Sequence, residues 1–404
     1  MKGVKVKANL PKFQTGKIII LSICHFVHDI YSGFLPPLLP LLIEKHSLSL
    51  TRAGFLSTVM QIPHLLNPYI GLLADRVSVR YLIILAPGMT AVPMSLLGLA
   101  SSYGVLLILF FVAGVSVAIF HVPAPVMIAR LSGNKKGKGM SFYMTGGELA
   151  RAISPLVAVG TVSLVGLEGF YPIMIVGIAA SGWLYLKLRE VPFSVRSDVK
   201  LSVLSTWKKK RFILLPLTGI LFTRGFMHAS MTTFLPTFIK LETGDLWLAG
   251  VSLTILEAAG VAGVLTAGSL SDTLGRRRIL LFSLLSAPVC LLIFVLVDGW
   301  WRYLLILLTG FSLLSTTPVM LALVQEHAQD SPSATNGLYM MVSFIARSAI
   351  VVLIGFIGDL IGLHITFVIS AVMGFAGIPF ILMLPTLDSG RVTIKSHKGT
   401  PKTS

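Results

Sequence analysis

The sequence is short of charge, of acid and of cysteine. Only 12% of its 404 residues are Asp, Glu, Lys or Arg, where a soluble domain carries about 25%. A chain that is 54% hydrophobic, with a mean hydropathy of +0.86, cannot hide that much apolar side chain in one core, which excludes a soluble enzyme. Two cysteines, Cys24 and Cys290, both inside apolar runs, exclude a secreted disulfide scaffold. No H-E-x-x-H, G-x-S-x-G or Walker-type G-x-x-x-x-G-K-[ST] occurs, so the common zinc, serine-nucleophile and ATP-driven chemistries lack their motifs. Acid is scarcer than base, 16 Asp+Glu against 33 Lys+Arg, for a net charge of +17. That excess fits either a nucleic-acid surface or basic residues held on one side of a membrane.

Position decides between the two. Residues 81–129 contain no Asp, Glu, Lys or Arg. One membrane helix needs about 20 apolar residues, so this interval holds two. The same ruler gives twelve spans, at 18–43, 51–74, 81–100, 104–129, 139–165, 170–188, 212–239, 247–271, 279–298, 302–325, 335–360 and 363–386. Most of the Lys and Arg fall between spans on one side. Lys2, Lys5, Lys7, Lys12 and Lys17 keep the N-terminus in the cytoplasm, with the first span as an uncleaved anchor. An even number of spans returns Arg391, Lys395, Lys398 and Lys402 to the same side. The basic excess is thus a topology signal, and nucleic acid is not an expected partner.

The longest polar stretch, 189–211, ends in Lys208-Lys209-Lys210-Arg211. It reads as a solvated cytoplasmic linker, with anionic lipid headgroups as the alternative. It divides the chain into an N-terminal half, 1–188, and a C-terminal half, 212–386, followed by a cytoplasmic tail, 387–404. The halves repeat each other. Phe34-Leu35-Pro36 matches Phe234-Leu235-Pro236, Gly71-x-Leu73-x-Asp75 matches Gly268-x-Leu270-x-Asp272, Pro125-Val126-Met127 matches Pro318-Val319-Met320, and Ala150-Arg151 matches Ala346-Arg347. The four matches keep one order. The expected fold is an all-α polytopic membrane protein of twelve transmembrane helices in two pseudo-two-fold six-helix halves.

Gly71-Leu-Leu73-Ala74-Asp75-Arg76-Val-Ser78-Val79-Arg80 and Gly268-Ser-Leu270-Ser271-Asp272-Thr-Leu-Gly275-Arg276-Arg277 resemble the major facilitator superfamily loop G-x-L-a-D-r-x-G-r-k. The first copy departs at Ser78 and Val79, the second at Ser271 and Thr273. Within that superfamily, Ser22-Ile-Cys24-His25-Phe-Val-His28-Asp29 is similar to the S-H-x-x-x-D opening of fosmidomycin-resistance-type proteins, with Cys24 where that pattern has Ser. Phe120-His121-Val-Pro123 through Ala129-Arg130, Gly146-Gly147 and Ser154-Pro155 resemble that group's F-H-P…A-R…G-G…G-P, with Val122 inserted and Ser154 replacing a Gly. The resemblance implies alternating-access transport with the substrate held at the midplane between the halves. The glycine-rich fifth-span motif of drug antiporters is reduced here to Ser141, Ala150 and Ser154.

An ionisable group inside a span costs about 2.5–3.5 kcal/mol on insertion scales, so such groups are the candidates for function. They are His25, His28 and Asp29 in span 1, His64 in span 2, His121 in span 4, Glu148 and Arg151 in span 5, Arg224 and His228 in span 7, Glu257 in span 8 and Arg347 in span 11. Spacings of three and four put His25, His28 and Asp29 near one helix face. Arg151 and Arg347 are repeat-equivalent and are expected to face each other across a central cavity. Two guanidinium groups suit a phosphonate, phosphate or carboxylate. Arg224, His28, His121, His228 and Glu148 are the other substrate-binding candidates. Asp29, Glu148, Glu257 and His25 are the proton-coupling candidates, Asp29 first. The competing reading is a closed set of internal ion pairs among the three arginines and three acids. No metal is expected, since no H-x-x-x-H pair occurs and the histidines are scattered.

Gly71, Asp75, Arg76, Arg80, Gly268, Asp272, Arg276 and Arg277 are expected to form a conformational gate at the cytoplasmic face. The expected function is proton-coupled efflux of a small amphiphilic, anionic compound across the cytoplasmic membrane. Uptake or exchange of an anionic metabolite, by symport, uniport or antiport, is the alternative. The protein is expected to be a monomer among membrane lipids, without a cofactor beyond the proton gradient and without enzymatic activity.

Overall fold

A computed structural model describes residues 13–67, 70, 80–133, 135–190, 203–327 and 332–385. Among them every regular element is helical. The helices are α1 (Thr15–Ser32), α2 (Leu35–His46), α3 (Leu50–Gln61), α4 (Arg80–Ser95), α5 (Tyr103–His121), α6 (Ala124–Leu131), α7 (Lys136–Val165) and α8 (Met174–Leu188). They continue with α9 (Val203–Ala229), α10 (Leu235–Thr243), α11 (Leu246–Leu274), α12 (Arg276–Leu296), α13 (Trp301–His327), α14 (Pro332–Phe375) and α15 (Ile378–Leu382).

Among the described residues, ten helical stretches are long and apolar enough to cross a membrane. One of them, Leu338–Leu382, has 45 residues. At 1.5 Å per residue it would run about twice the thickness of a bilayer core. It is broken at Gly362, where φ is 79° and ψ 158°, a backbone that only glycine adopts readily. Dividing this stretch at Gly362, and counting Leu50–Leu66, would make up the twelve expected. Most of the 189–211 linker, the 387–404 tail, and Gly71, Asp75 and Arg76 lie outside the described residues.

The breaks within spans follow the prolines. The first span parts at Gly33 into α1 and α2, and α2 opens with Pro36 in its first turn, where a missing N–H is harmless. Pro123 and Pro125 separate α5 from α6. In the seventh span a π-helical turn, Ser230–Phe234, precedes Pro236. By contrast α13 runs unbroken through Pro318.

Taking each span as one crossing, α1 begins at one face, here the near face, and α2 ends at the far face. Within the halves α1 packs on α7, α4 on α5 and α8, α11 on α13 and α9 on α14. Between the halves α3 meets α14, α7 meets α11 and α2 meets α10. The closeness of the α3–α14 seam depends on glycine: a Cβ on Gly54 would lie 2.7 Å from the Val351 carbonyl oxygen.

The hydrophobic core shows where the halves join. A large cluster, including Phe34, Leu38, Leu56, Phe110, Phe234, Phe238, Val351 and Phe367, runs through both halves towards the far face. Nearer the other face there are two separate cores. One, with Ile18, Leu21, Ile84, Phe120 and Leu184, is built from the first half alone. The other, with Ile213, Leu217, Leu280, Val324 and Leu384, is built from the second half alone. Among the described residues, shared apolar burial joins the halves at the far side, and the two cores nearer the other face are separate.

Candidate functional site

Two groups of ionisable side chains lie at mid-helix. The first is centred on Asp29. Its Oδ1 is 3.0 Å from His121 Nε2 and its Oδ2 is 3.1 Å from His25 Nε2. His25 Nδ1 lies 2.8 Å from the carbonyl oxygen of Tyr143, and its ring stacks on the Tyr143 ring at 3.9 Å. A carbonyl oxygen can only accept, so Nδ1 carries a hydrogen and donates it. A neutral His25 then turns its bare Nε2 lone pair towards the carboxylate. Two facing lone pairs repel, so a proton must reside on Nε2 or on the carboxyl group. His25 and Asp29 thus form a site for one proton.

Gly147 makes this contact possible. A Cβ there would sit 2.7 Å from His25 Cε1 and 3.0 Å from Asp29 Oδ2. The set is open on one side, since the His121 side chain is 34% exposed. Donor atoms of His25, Asp29 and His121 lie within 4.8 Å of one another, so among the described residues these are the groups that could hold a metal ion. Here each carboxylate oxygen already faces an imidazole.

His28 departs from its expected place. It is completely buried, stacked on Phe120 at 4.4 Å, with Nδ1 3.2 Å from Thr90 Oγ1. Thr90 in turn donates to Ser116 Oγ at 2.7 Å. The helical period explains the difference: residue 25 is four positions from 29 and nearly in line, whereas 28 is one position away, about 100° around the axis. His28 therefore faces the packed interior of the first half and does not reach the space between the halves.

The second group spans the seam. Glu148 and Arg151, one turn apart on α7, form an ion pair. Arg151 Nε also lies 3.8 Å from Glu257 Oε2 on α11, so the pair reaches across to the other half. The Arg151 side chain remains 48% exposed, against 12% for Glu148 and 13% for Glu257. Arg347 on α14 is also exposed, and lies within electrostatic range of Arg151, Glu257 and Tyr339. One turn before it, Phe344 stacks on His64 of the first half at 4.8 Å, which places this face of α14 on the seam. Among the described residues Arg347 makes no hydrogen bond or ion pair. The two repeat-equivalent arginines thus lie within electrostatic range of each other near the seam.

Arg224 lies elsewhere. It is buried, and its Nε and Nη2 donate to the Leu313 carbonyl oxygen at 3.2 and 3.0 Å, with Thr317 Oγ1 at 3.2 Å. This ties α9 to α13, a packing role where substrate contact was expected. His228, half-buried, is engaged by Thr232 on its own helix. The closed ion-pair set is therefore not formed among the described residues. Asp29 pairs with histidines, and neither Arg224 nor Arg347 has a carboxylate partner.

At the near face, Arg276 pairs with Asp272 and donates to Glu326 Oε1 at 2.9 and 3.0 Å and to the Gly268 carbonyl oxygen at 3.3 Å. All belong to the second half. Among the described residues the contact clamps α11, α12 and α13 together and does not bridge the halves. Gly268 has open space where a Cβ would stand, so close packing does not require it. Of the first copy, Arg80 is described, with its guanidinium 4.9 Å over the Tyr81 ring.

Tyr143, Thr90 and Glu326 were missed by sequence reasoning, and Gly147 entered only as part of a motif, without this contact. Tyr143 acts through its carbonyl, which no residue type reveals. Glu326 sat outside the recognised loop.

The sequence profile of the Major Facilitator Superfamily matches residues 21–351. The fosmidomycin resistance protein of Escherichia coli (strain K12) is 23% identical over 388 residues, covering 93% of this chain and 94% of that protein. An uncharacterised MFS-type transporter of Bacillus subtilis (strain 168) is 25% identical over 375 residues, covering 89% and 91%. A bacterial homologue of the human lysosomal transporter Spinster, in an inward-facing and occupied conformation, superposes with a TM-score of 0.78 at 15% identity, over 92% of this chain and 96% of that one. A D-xylose-proton symporter gives 0.68 at 16%, over 92% and 98%. At these identities the solved structures speak for the fold. The relatives are membrane transporters, not enzymes, and this chain belongs to the Major Facilitator Superfamily.

Proposed function

We propose that the protein is a secondary active transporter exporting a small amphiphilic anion across the cytoplasmic membrane by alternating access, driven by the proton gradient. The observation that carries the substrate class is Arg347. Its guanidinium is exposed between the halves without a carboxylate among the described residues, near Arg151, whose charge is shared by Glu148 and Glu257. A cation within a membrane span is costly without a counter-charge, and an anionic substrate would supply one in bidentate geometry. The His25–Asp29 proton site supports coupling, since it lies one turn along α7 from Arg151 through Gly147.

The basic N-terminus makes the near face cytoplasmic by the positive-inside rule. The far-side seal then corresponds to an inward-open state, with twelve crossings and both termini in the cytoplasm. The protein works as a monomer among lipids, with no cofactor and no nucleic-acid partner. Efflux accords with relatives whose names concern resistance to fosmidomycin and to multiple drugs. Uptake of an anionic metabolite is the second reading, favoured by likeness to a proton symporter.

The test is thermal stabilisation of the purified full chain by phosphonates, phosphorylated metabolites, organic acids and cationic drugs. A ligand at 100 times its Kd stabilises the folded state by about 2.7 kcal/mol. Stabilisation by anions, lost in Arg347→Gln, is the expected result. Hits confined to cationic drugs overturn the reading.

A further inference from the structure

The first turn of a helix carries backbone N–H groups without partners inside the helix. In α11 the chain satisfies them locally: Asp245 accepts from Trp247 N at 2.7 Å and Leu248 N at 3.2 Å. At another far-face helix start, α3, the local cap does less. Ser49 Oγ accepts only from Arg52 N, at 3.2 Å. The N–H groups of Leu50 and Thr51 instead donate to Asp359, at 2.6 Å to Oδ1 and 2.9 Å to Oδ2, and the Thr51 hydroxyl donates to Oδ2 as well. Asp359 stands on α14, in the other half of the molecule. One half thus completes the helix cap of the other.

The position of this cap matters. It lies at the far end of the α3–α14 seam. Deeper along the same seam are the Gly54 contact with Val351 and the hydrogen bond from Thr58 Oγ1 to the Ser348 carbonyl oxygen at 2.9 Å. A Cβ on Gly355 would collide with the Leu50 carbonyl oxygen, so the two backbones meet directly beside the carboxylate. If the halves part at the far face, all of these contacts separate, and Asp359 is the charged one. Its negative charge suits the positive end of the α3 dipole.

We infer that Asp359 is a far-face latch: its carboxylate, capping α3 across the seam, sets how readily the halves open on that side. The inference rests on the alternating-access reading above. The latch is suited to reversible use. Asp359 is exposed, so on opening both the carboxylate and the freed N–H groups pass to water rather than being stranded. Its bias is accordingly modest, of the size of one helix cap.

Spin labels at Leu164→Cys and Leu241→Cys, both exposed near the far ends of α7 and α10, report separation of the halves there in a Cys24→Ala, Cys290→Ala background. The measurement uses the full chain in lipid nanodiscs without ligand. Asp359→Ala, which leaves the Leu50 and Thr51 N–H groups without their acceptor, is expected to raise the ratio of far-open to far-closed distances about fivefold, as losing a helix cap would. Thr51→Val, which removes only the hydroxyl bond, should shift the ratio the same way by less. An unchanged distance distribution in both variants overturns the latch. So does a lowered melting temperature with an unchanged ratio, which would make the contact a static cap. Neither result bears on anion binding, which is read separately by ligand stabilisation.

Discussion

His25 Nε2 lies 3.1 Å from Asp29 Oδ2 while its Nδ1 is committed to the Tyr143 carbonyl oxygen at 2.8 Å. This double engagement leaves room for one proton between imidazole and carboxylate. Asp29→Asn removes the acid but keeps the shape. It should abolish flux driven by a pH gradient in proteoliposomes while anion-induced stabilisation persists. Unchanged gradient-driven flux would make Asp29 structural.

The same site depends on Gly147. A methyl group there would press on His25 and Asp29 together. Overpacking of this kind costs about 1–3 kcal/mol. Gly147→Ala should lower the melting temperature and reduce gradient-driven flux, with anion binding retained. A variant that transports normally would show that the His25–Asp29 spacing tolerates adjustment.

Arg347 allows a test of geometry against charge. Arg347→Lys keeps the cation but loses the planar fork that grips two oxygens. Losing one charge-assisted hydrogen bond corresponds to about a tenfold or greater loss of affinity. Titration of the best anion from the stabilisation screen should show this loss in Arg347→Lys and a larger one in Arg347→Gln. Equal affinities in all three proteins would remove Arg347 from the substrate site.

Glu257 shares Arg151 with Glu148 across the seam. Glu257→Gln removes one carboxylate that competes with an anionic ligand. Anion affinity should rise several-fold in the same titration. A fall in affinity would mean that Glu257 positions Arg151 rather than competes for it.

Arg276 binds Asp272, Ser271 and Glu326 within one half. Breaking a charged network costs about 1–3 kcal/mol for each polar group left without a partner. Arg276→Gln should therefore lower the melting temperature without altering labelled distances between the halves. A change in those distances would restore the cytoplasmic-gate role expected from the loop motif.

The chain's class was legible because a membrane imposes simple rules. The absence of charge from residues 81–129, the placing of the basic residues and the repeated Ala-Arg at 150–151 and 346–347 are linear features. They pointed to a polytopic helical membrane protein, to a repeat between its two parts and to the arginines at 151 and 347. The site was legible in part. Spacing found His25 beside Asp29, but it also enlisted His28, which turns into the packed interior. Charge counting found Arg224, whose actual partner is the backbone carbonyl oxygen of Leu313.

By itself, the scarcity of charge determined that this chain lives in a membrane, and the few ionisable residues inside its spans marked where to look. Tertiary structure decided which of them meet. Asp29 met imidazoles instead of guanidinium groups, Arg347 was left open between the halves, and Asp359, passed over in the sequence, reached α3 across the seam. The physical reason is that hydrophobic periodicity specifies which face of a helix is buried. The partner of a polar group, often a backbone atom hundreds of residues away, is set only when the helices pack.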